Sequence, residues 1–202
     1  MIELKQIIAV EGIVHAGKTT LIRHLERVCD KTKFQFIKEY GDFIGGGQNF
    51  PGFPKNQIEA LSSNGFFEKL EQKRFETIRQ ISQVVILDRS LLSVLAYHYA
   101  TEKITQEKIK CFNDSLNYFL DNFSSWIPQV CLYLKITVSE MYKRHEGDGF
   151  YESILLCKSF NAYLLSFYDQ MSRFFPNMTI YEIEAHKTKK EVLNNVLNEI
   201  KK

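Results

Sequence analysis

The run Gln6–Val10, QIIAV, constrains this chain more than any other stretch. Its apolar residues follow one another without a polar break, so as a strand it has no face to give to water and must be covered on both sides. That is the environment of an inner strand in a parallel sheet flanked by helices. Helical and strand patterns then alternate to the end of the chain, which favours an α/β sheet with right-handed crossovers over a helical bundle.

The spacing predicts further strands at Phe34–Lys38, at Val84–Leu87 ending on Asp88, at Val130–Ile136 and at Thr179–Ile183. Between them, helices are expected over Lys18–Cys29, with Leu21, Ile22, Leu25 and Val28 in register, over about Gly65–Ser82, and over Leu91–Ala100. Others are expected over Gln106–Phe123 from a Thr105 cap, after a capping box at Thr137 to Glu140, over Phe150–Phe175 up to Pro176, and over Lys187–Ile200. The glycines and prolines of Gly41–Pro54 predict a loop without regular structure. Five strands with helices on both faces make a doubly wound sheet, and 202 residues with 45% hydrophobic content suit one domain over 1–202.

Charge narrows the range of partners. With 26 basic residues against 24 acidic ones, the formal charge of +2 leaves no basic footprint for a nucleic-acid polymer. The apolar run near the start is short and bounded by Lys5 and Glu11, so neither a signal peptide nor a membrane span is expected. Four cysteines without CxxC spacing signal neither a zinc site nor a disulfide framework, and the expectation is a cytoplasmic protein with reduced thiols.

Between the first strand and the first helix stands GIVHAGKT, residues 12–19. Gly12 and Gly17 let successive amide groups turn inward, where with the helix N-terminus they can cradle a triphosphate. Lys18 would reach the outer phosphates and Thr19 a magnesium ion, with His15, Ala16 and Thr20 completing the lining. Strand before and helix after is the setting that makes this pattern specific. Asp88 would emerge at the same sheet edge as a metal or catalytic carboxylate, and Arg89 could balance charge on a moving phosphoryl group. Glu39, ending the second strand, could accept the proton of an acceptor hydroxyl. Phe66, Phe67 and Arg74 on one helix could line a pocket for a flat acceptor. YKRHEGDGFYE, 142–152, reads as a short lid from which Lys143 or Arg144 could close over phosphates.

EGIVHAGKTTL, DRSLLSVLAY, the charged segment before FYE and the late IEAHKTKKEV together resemble the thymidylate kinase and deoxynucleoside kinase group of P-loop phosphotransferases. The resemblance implies a five-stranded parallel sheet and transfer of the γ-phosphoryl group of ATP, with Mg2+, to a nucleoside or nucleoside monophosphate. It further implies that residues from Ala185 to Thr188 pass beside the adenine, and that two copies pair through helices. Deoxynucleoside kinases carry a glutamate after the second strand, which Glu39 in IKEYGDF matches, and an aromatic residue and an arginine on the next helix, which Phe66 and Arg74 match. Phe67 stands where their base-reading glutamine would be. Asp88 follows the thymidylate kinases, whereas Val14 occupies a position usually acidic in them. Either Glu39 or Asp88 would take the acceptor proton, with Arg89 and Arg144 neutralising the moving group.

Two other readings share the cradle. A kinase of an antibiotic, sugar or vitamin would have the same donor site, since the cradle recognises phosphates alone. A nucleotide-dependent switch is weaker, because DFIG, 42–45, fits DxxG but no NKxD motif follows.

Overall fold

The computed structural model describes residues 6–78, 84–145 and 153–200. Its sheet has the strands β1 (Gln6–Glu11), β2 (Phe34–Ile37), β3 (Val84–Asp88), β4 (Val130–Lys135) and β5 (Thr179–Glu184), all parallel, in the order β2-β3-β1-β4-β5. The uninterrupted apolar run lies in the central strand. Ile8 and Val10 join one core, with Leu21, Ile22 and Leu25, while Ile7 and Ala9 join the opposite one, with Ile37, Val85 and Leu87. This is the two-sided cover that the run demands.

The helices are α1 (Lys18–Val28), α2 (Tyr40–Ile44), α3 (Gln57–Glu76), α4 (Leu91–Ile104), α5 (Phe112–Phe123), α6 (Val138–His145), α7 (Lys158–Asp169), α8 (Met171–Phe174) and α9 (Lys189–Ile200). No helix among the described residues is long and apolar enough to cross a membrane.

Several boundaries differ from the sequence expectation, each for a local reason. Part of Gly41–Pro54 is regular after all, since α2 forms and closes at Gly45 in the left-handed conformation (φ 77°), followed by a 3-10 turn at Gly47–Asn49. Helix α3 starts well before Gly65 because Asn56 accepts a hydrogen bond from the Glu59 amide at 2.9 Å, a side-chain cap. Thr105 ends α4 rather than starting α5, its hydroxyl donating to the Thr101 carbonyl at 2.8 Å. Helix α5 begins at Phe112, where the Glu102 carboxylate accepts from the Cys111 and Phe112 amides at 3.1 and 3.2 Å. The segment expected as one helix to Phe175 is a 3-10 turn at Ser153–Leu156, then α7 and α8. Thr137 does cap α6, accepting from the Glu140 amide at 3.1 Å. Of the expected lid, Tyr142 to His145 form the last turn of α6, and 146–152 lie outside the described residues.

A polar chain ties α3, α4 and α5 together inside the core. Ser63 Oγ donates to the Ala60 carbonyl at 2.7 Å, so it accepts from His98 Nε2 at 3.0 Å. The His98 Nδ1 lone pair then takes the Ser115 hydroxyl at 2.7 Å, and Asn64 Nδ2 donates to Ser115 at 3.0 Å. For a neutral imidazole these directions require the proton at Nε2. Burial pushes His98 down to about 4. The unfolded imidazole, titrating near its ordinary 6.5, binds a proton that the folded one refuses, so stability falls as pH drops from about 6.5 towards 4, by up to about 3 kcal/mol. His98→Gln should flatten this limb of a stability–pH curve, measured by urea unfolding with Trp126 fluorescence; equal acid sensitivity in wild type and variant would refute it.

Candidate active site

The carboxyl ends of β1, β2 and β3 bring the main sequence candidates to one edge. The glycine loop leaves β1 at Gly12, whose φ of 140° suits glycine. A Cβ built there would lie 2.6 Å from the Leu134 carbonyl oxygen of β4, so the loop presses against β4 backbone. Gly17, at φ 95°, needs only its conformation, because a Cβ there would meet nothing within 4 Å. Lys18 opens α1 and folds back, its Nζ donating to the Gly12 and Ile13 carbonyls at 2.9 and 2.7 Å. Burial, then the nearby Arg89, draws its pKa down to about 7, against the pull of Asp88, Glu11 and Glu39.

Asp88 ends β3 almost fully buried and accepts a hydrogen bond from the Thr19 side chain. Its Oδ1 is buried with no hydrogen-bond partner among the described residues. Burial pushes its pKa up, with Arg89 and Lys18 opposing. A hard divalent cation would complete this oxygen, with the Thr19 hydroxyl as a second donor, so the residues fit magnesium. Among the described residues, no three or more His, Cys, Asp or Glu side chains group into a larger metal site.

Arg89 adopts a left-handed backbone conformation, φ 63°, which is strained for a residue with a side chain. Its amide donates to the Val10 carbonyl at 3.2 Å, and its Nε lies 3.4 Å from Glu39 Oε2. Glu39 precedes α2 at the end of β2, and both partners of this pair are partly exposed.

Arg74 departs from expectation. It is fully buried, and its five hydrogen bonds run to the Lys38 carbonyl (3.1 Å), to both Glu71 oxygens (3.1 Å each), and to the Asp88 and Arg89 carbonyls (3.2 and 2.8 Å). The guanidinium also stacks over the Tyr40 ring at 4.4 Å, and the Tyr40 hydroxyl donates to Glu71. Fully buried and bonded to the protein at all three nitrogens, Arg74 is turned away from an acceptor molecule. It braces the ends of β2 and β3 against α3. Phe66 and Phe67 are half-buried and pack with loop and α2 rings, Phe67 edge-on to Tyr40 at 5.4 Å and stacked on Phe50 at 6.0 Å.

On the other side of the glycine loop, a cavity of about 600 Å³ is lined by His15, Ala16, Thr20, Leu134 and, from the last crossing, Ala185 and Thr188. Arg144 sets its rim, donating to the His15 and Ala185 carbonyls at 3.2 and 2.6 Å and to Glu140 at 2.9 Å. His15 takes a left-handed conformation, φ 58°, and its Nε2 lies 3.2 Å from His145 Nδ1. It therefore faces α6 rather than Glu39.

Glu11 escaped notice in the sequence. It ends β1 fully buried and takes hydrogen bonds from Ser90, Ser93 and Tyr168. A charged residue closing an otherwise apolar central strand was the available signal, the same one that singled out Asp88.

A parallel sheet whose first crossover is a glycine loop with a buried lysine, and whose neighbouring strand ends on a buried aspartate, defines a phosphotransferase of the P-loop kinase type. The family model for deoxynucleoside kinases matches residues 8–202, so the chain belongs to the deoxynucleoside kinase family and is a kinase acting on a nucleoside or nucleotide. Solved structures agree in fold. The deoxyadenosine kinase from M. mycoides with bound dATP superposes at TM-score 0.69 with 15% identity, covering 98% of this chain and 100% of that one. With dCTP bound, the same enzyme gives TM-score 0.71 at 15% identity over 96% and 98%. The thymidylate kinase from Candida albicans gives 0.69 at 22% identity over 98% and 92%. A search of curated proteins found no match.

The geometry yields two expectations. Gly12→Ala should lower stability by about 1–3 kcal/mol and disturb nucleotide binding, because backbone must move, whereas Gly17→Ala should carry the conformational cost alone, about 1–2 kcal/mol. Thermal melts with and without nucleotide check the order, and equal losses would refute the Leu134 contact. Arg74→Met strands the buried Glu71 carboxylate and should destabilise by about 3–5 kcal/mol in denaturant unfolding; a near-neutral result would contradict the brace.

Proposed function

We propose that this kinase transfers the γ-phosphoryl group of ATP to a hydroxyl of a nucleoside, with magnesium, and that Glu39 is the base. The observation that carries the reading is the Glu39–Arg89 pair, a carboxylate and a guanidinium 3.4 Å apart at the ends of adjacent strands, next to Asp88. A hydroxyl acceptor needs such a base beside a cation. A monophosphate acceptor needs a free clamp instead, and Arg74, the arginine in position to be one, is fully buried and bonded within the protein at all three nitrogens.

In this reading the triphosphate lies in the loop from Gly12 to Thr19, at the N-terminus of α1, and the base enters the cavity between His15 and Thr188. Lys18 exchanges the Gly12 and Ile13 carbonyls for the outer phosphates, which restore the proton that burial makes labile. Thr19 and Asp88 would hold the magnesium ion, which supplies charge neutralisation of the phosphates when bound. Arg144 keeps the loop and the Ala185 segment at fixed separation. The acceptor lies between Glu39 and the Phe66 and Phe67 rings, Glu39 takes its hydroxyl proton, and Arg89 balances charge on the moving group.

The test is ATP consumption with magnesium across nucleosides, deoxynucleosides and their monophosphates. Turnover should appear with a nucleoside. Glu39→Gln should lower kcat by about 10²- to 10⁴-fold with ATP binding retained, and Lys18→Met should abolish transfer. Turnover confined to monophosphates, or an unchanged kcat in Glu39→Gln, would overturn the proposal.

A further inference from the structure

Glu11 is a buried carboxylate that no step of the proposed transfer uses, and its surroundings are too specific for chance packing. It is the last residue of β1, directly before Gly12. The Ser90 amide and hydroxyl both donate to Oε1 at 2.7 Å, and the Ser93 and Tyr168 hydroxyls donate to Oε2 at 2.6 and 3.1 Å. Burial raises its pKa, while the serine bonds and the charges of Arg89 and Lys18 pull the other way. Four donors around one carboxylate favour the anion.

The partners reveal the arrangement. Ser90 caps α4, accepting from the Leu92 amide at 3.2 Å, and Ser93 is the third residue of that helix. In an ordinary capping box the third residue is a glutamate that reaches back to the cap amide. Here that position holds a serine, and a glutamate from another strand occupies the place of the missing carboxylate. The start of α4 is thus completed by β1. Immediately before the cap comes Arg89 in its strained left-handed conformation, held by Val10 on its own amide, by Arg74 on its carbonyl and by Glu11 on the following amide. The residue that starts the glycine loop and the residue that aims at Glu39 are therefore locked together through one carboxylate.

We infer that Glu11 is a positioning residue, which through Ser90 and Ser93 fixes the Arg89 guanidinium relative to the phosphate site, with Tyr168 extending the lock to α7. This inference rests on the proposed role of Arg89. A small displacement of a group facing the reacting atoms lowers the rate far more than it lowers binding. Loss of the Glu11 bonds should thus appear in kcat, with KM for ATP nearly unchanged.

The experiment is a kinetic cycle of Glu11→Gln, Arg89→Ala and the double variant, assayed at saturating ATP and nucleoside, with thermal melts alongside. Glutamine keeps the shape and the Oε1 acceptor but cannot receive the Ser93 and Tyr168 hydroxyls through nitrogen. The expected result is a fall in kcat of about 10- to 100-fold in Glu11→Gln, and a change of less than about two-fold when the same substitution is made in Arg89→Ala. An unchanged kcat with only a lower Tm would show a purely structural carboxylate and overturn the inference, as would a loss that multiplies with that of Arg89→Ala. Wild-type kcat in Arg89→Ala alone would instead remove the proposed function of Arg89, and the role of Glu11 with it. Should Glu11→Gln fail to fold, Ser93→Ala and Tyr168→Phe each delete one bond, and each should lower kcat less than Glu11→Gln is expected to; wild-type kcat in both would overturn the inference.

Discussion

One buried guanidinium decides where the chemistry of this fold can sit. The sheet edge between β2 and β3 is open by construction, because both strands end there and their terminal carbonyls need partners. Arg74 supplies them from α3, bonding the carbonyls of Lys38, Asp88 and Arg89 at once. Its charge is matched by Glu71 and its face by Tyr40, so the ion pair is hydrogen-bonded throughout rather than stranded. Glu39 follows Lys38 directly, and Arg89 follows Asp88. Their mutual approach across the two strands is thus inherited from a residue that touches neither side chain.

The site gathers several charged groups away from the surface. Lys18, Asp88 and Glu11 are all nearly or fully buried; burial draws each toward its neutral form, neighbours of opposite charge resist, and like charges, Arg89 at Lys18 and Glu39 at Asp88, add to the pull of burial. Such a group of charges is held by mutual compensation, and a polyanion with a cation shifts that balance without rebuilding the backbone. The aromatic rings of Phe50, Phe66 and Phe67 stand beside this region, partly exposed and packed on one another.

Much of this was legible in the residues. The central strand and the glycine loop followed from one apolar run and one glycine spacing, and the order of elements from the alternation of helix and strand periods, all of which are local signals. Asp88 and Glu39 were found because a carboxylate ending a strand must emerge at the loop-bearing edge. Glu71, three positions before Arg74 on α3, was a readable partner, but the other acceptors of Arg74 are backbone carbonyls fourteen and more positions away, and carbonyls carry no sequence signature. Glu11 was overlooked as punctuation between strand and loop, although a charge there is as informative as Asp88. The helix ends misjudged in the sequence share a cause: Asn56 and Glu102 cap through side chains whose role depends on where the chain has already turned. Thr105 could have started a helix by type, and only the direction of its hydroxyl bond, back to Thr101, shows that it ends one.

The strand order also bears on how the chain is made. The central strand β1 precedes both of its sheet neighbours in the chain, and neither exists when it leaves the ribosome. The Ile7 amide finds its partner on Gln129, 122 positions later, and the other side waits for β3. Until then a continuous apolar segment and the glycine loop behind it have no scaffold. Closing such distant pairings is slow, because the entropy of long loops must be lost before the contacts form. The glycine loop, which precedes all of these partners in the chain, therefore acquires its shape only after they have formed.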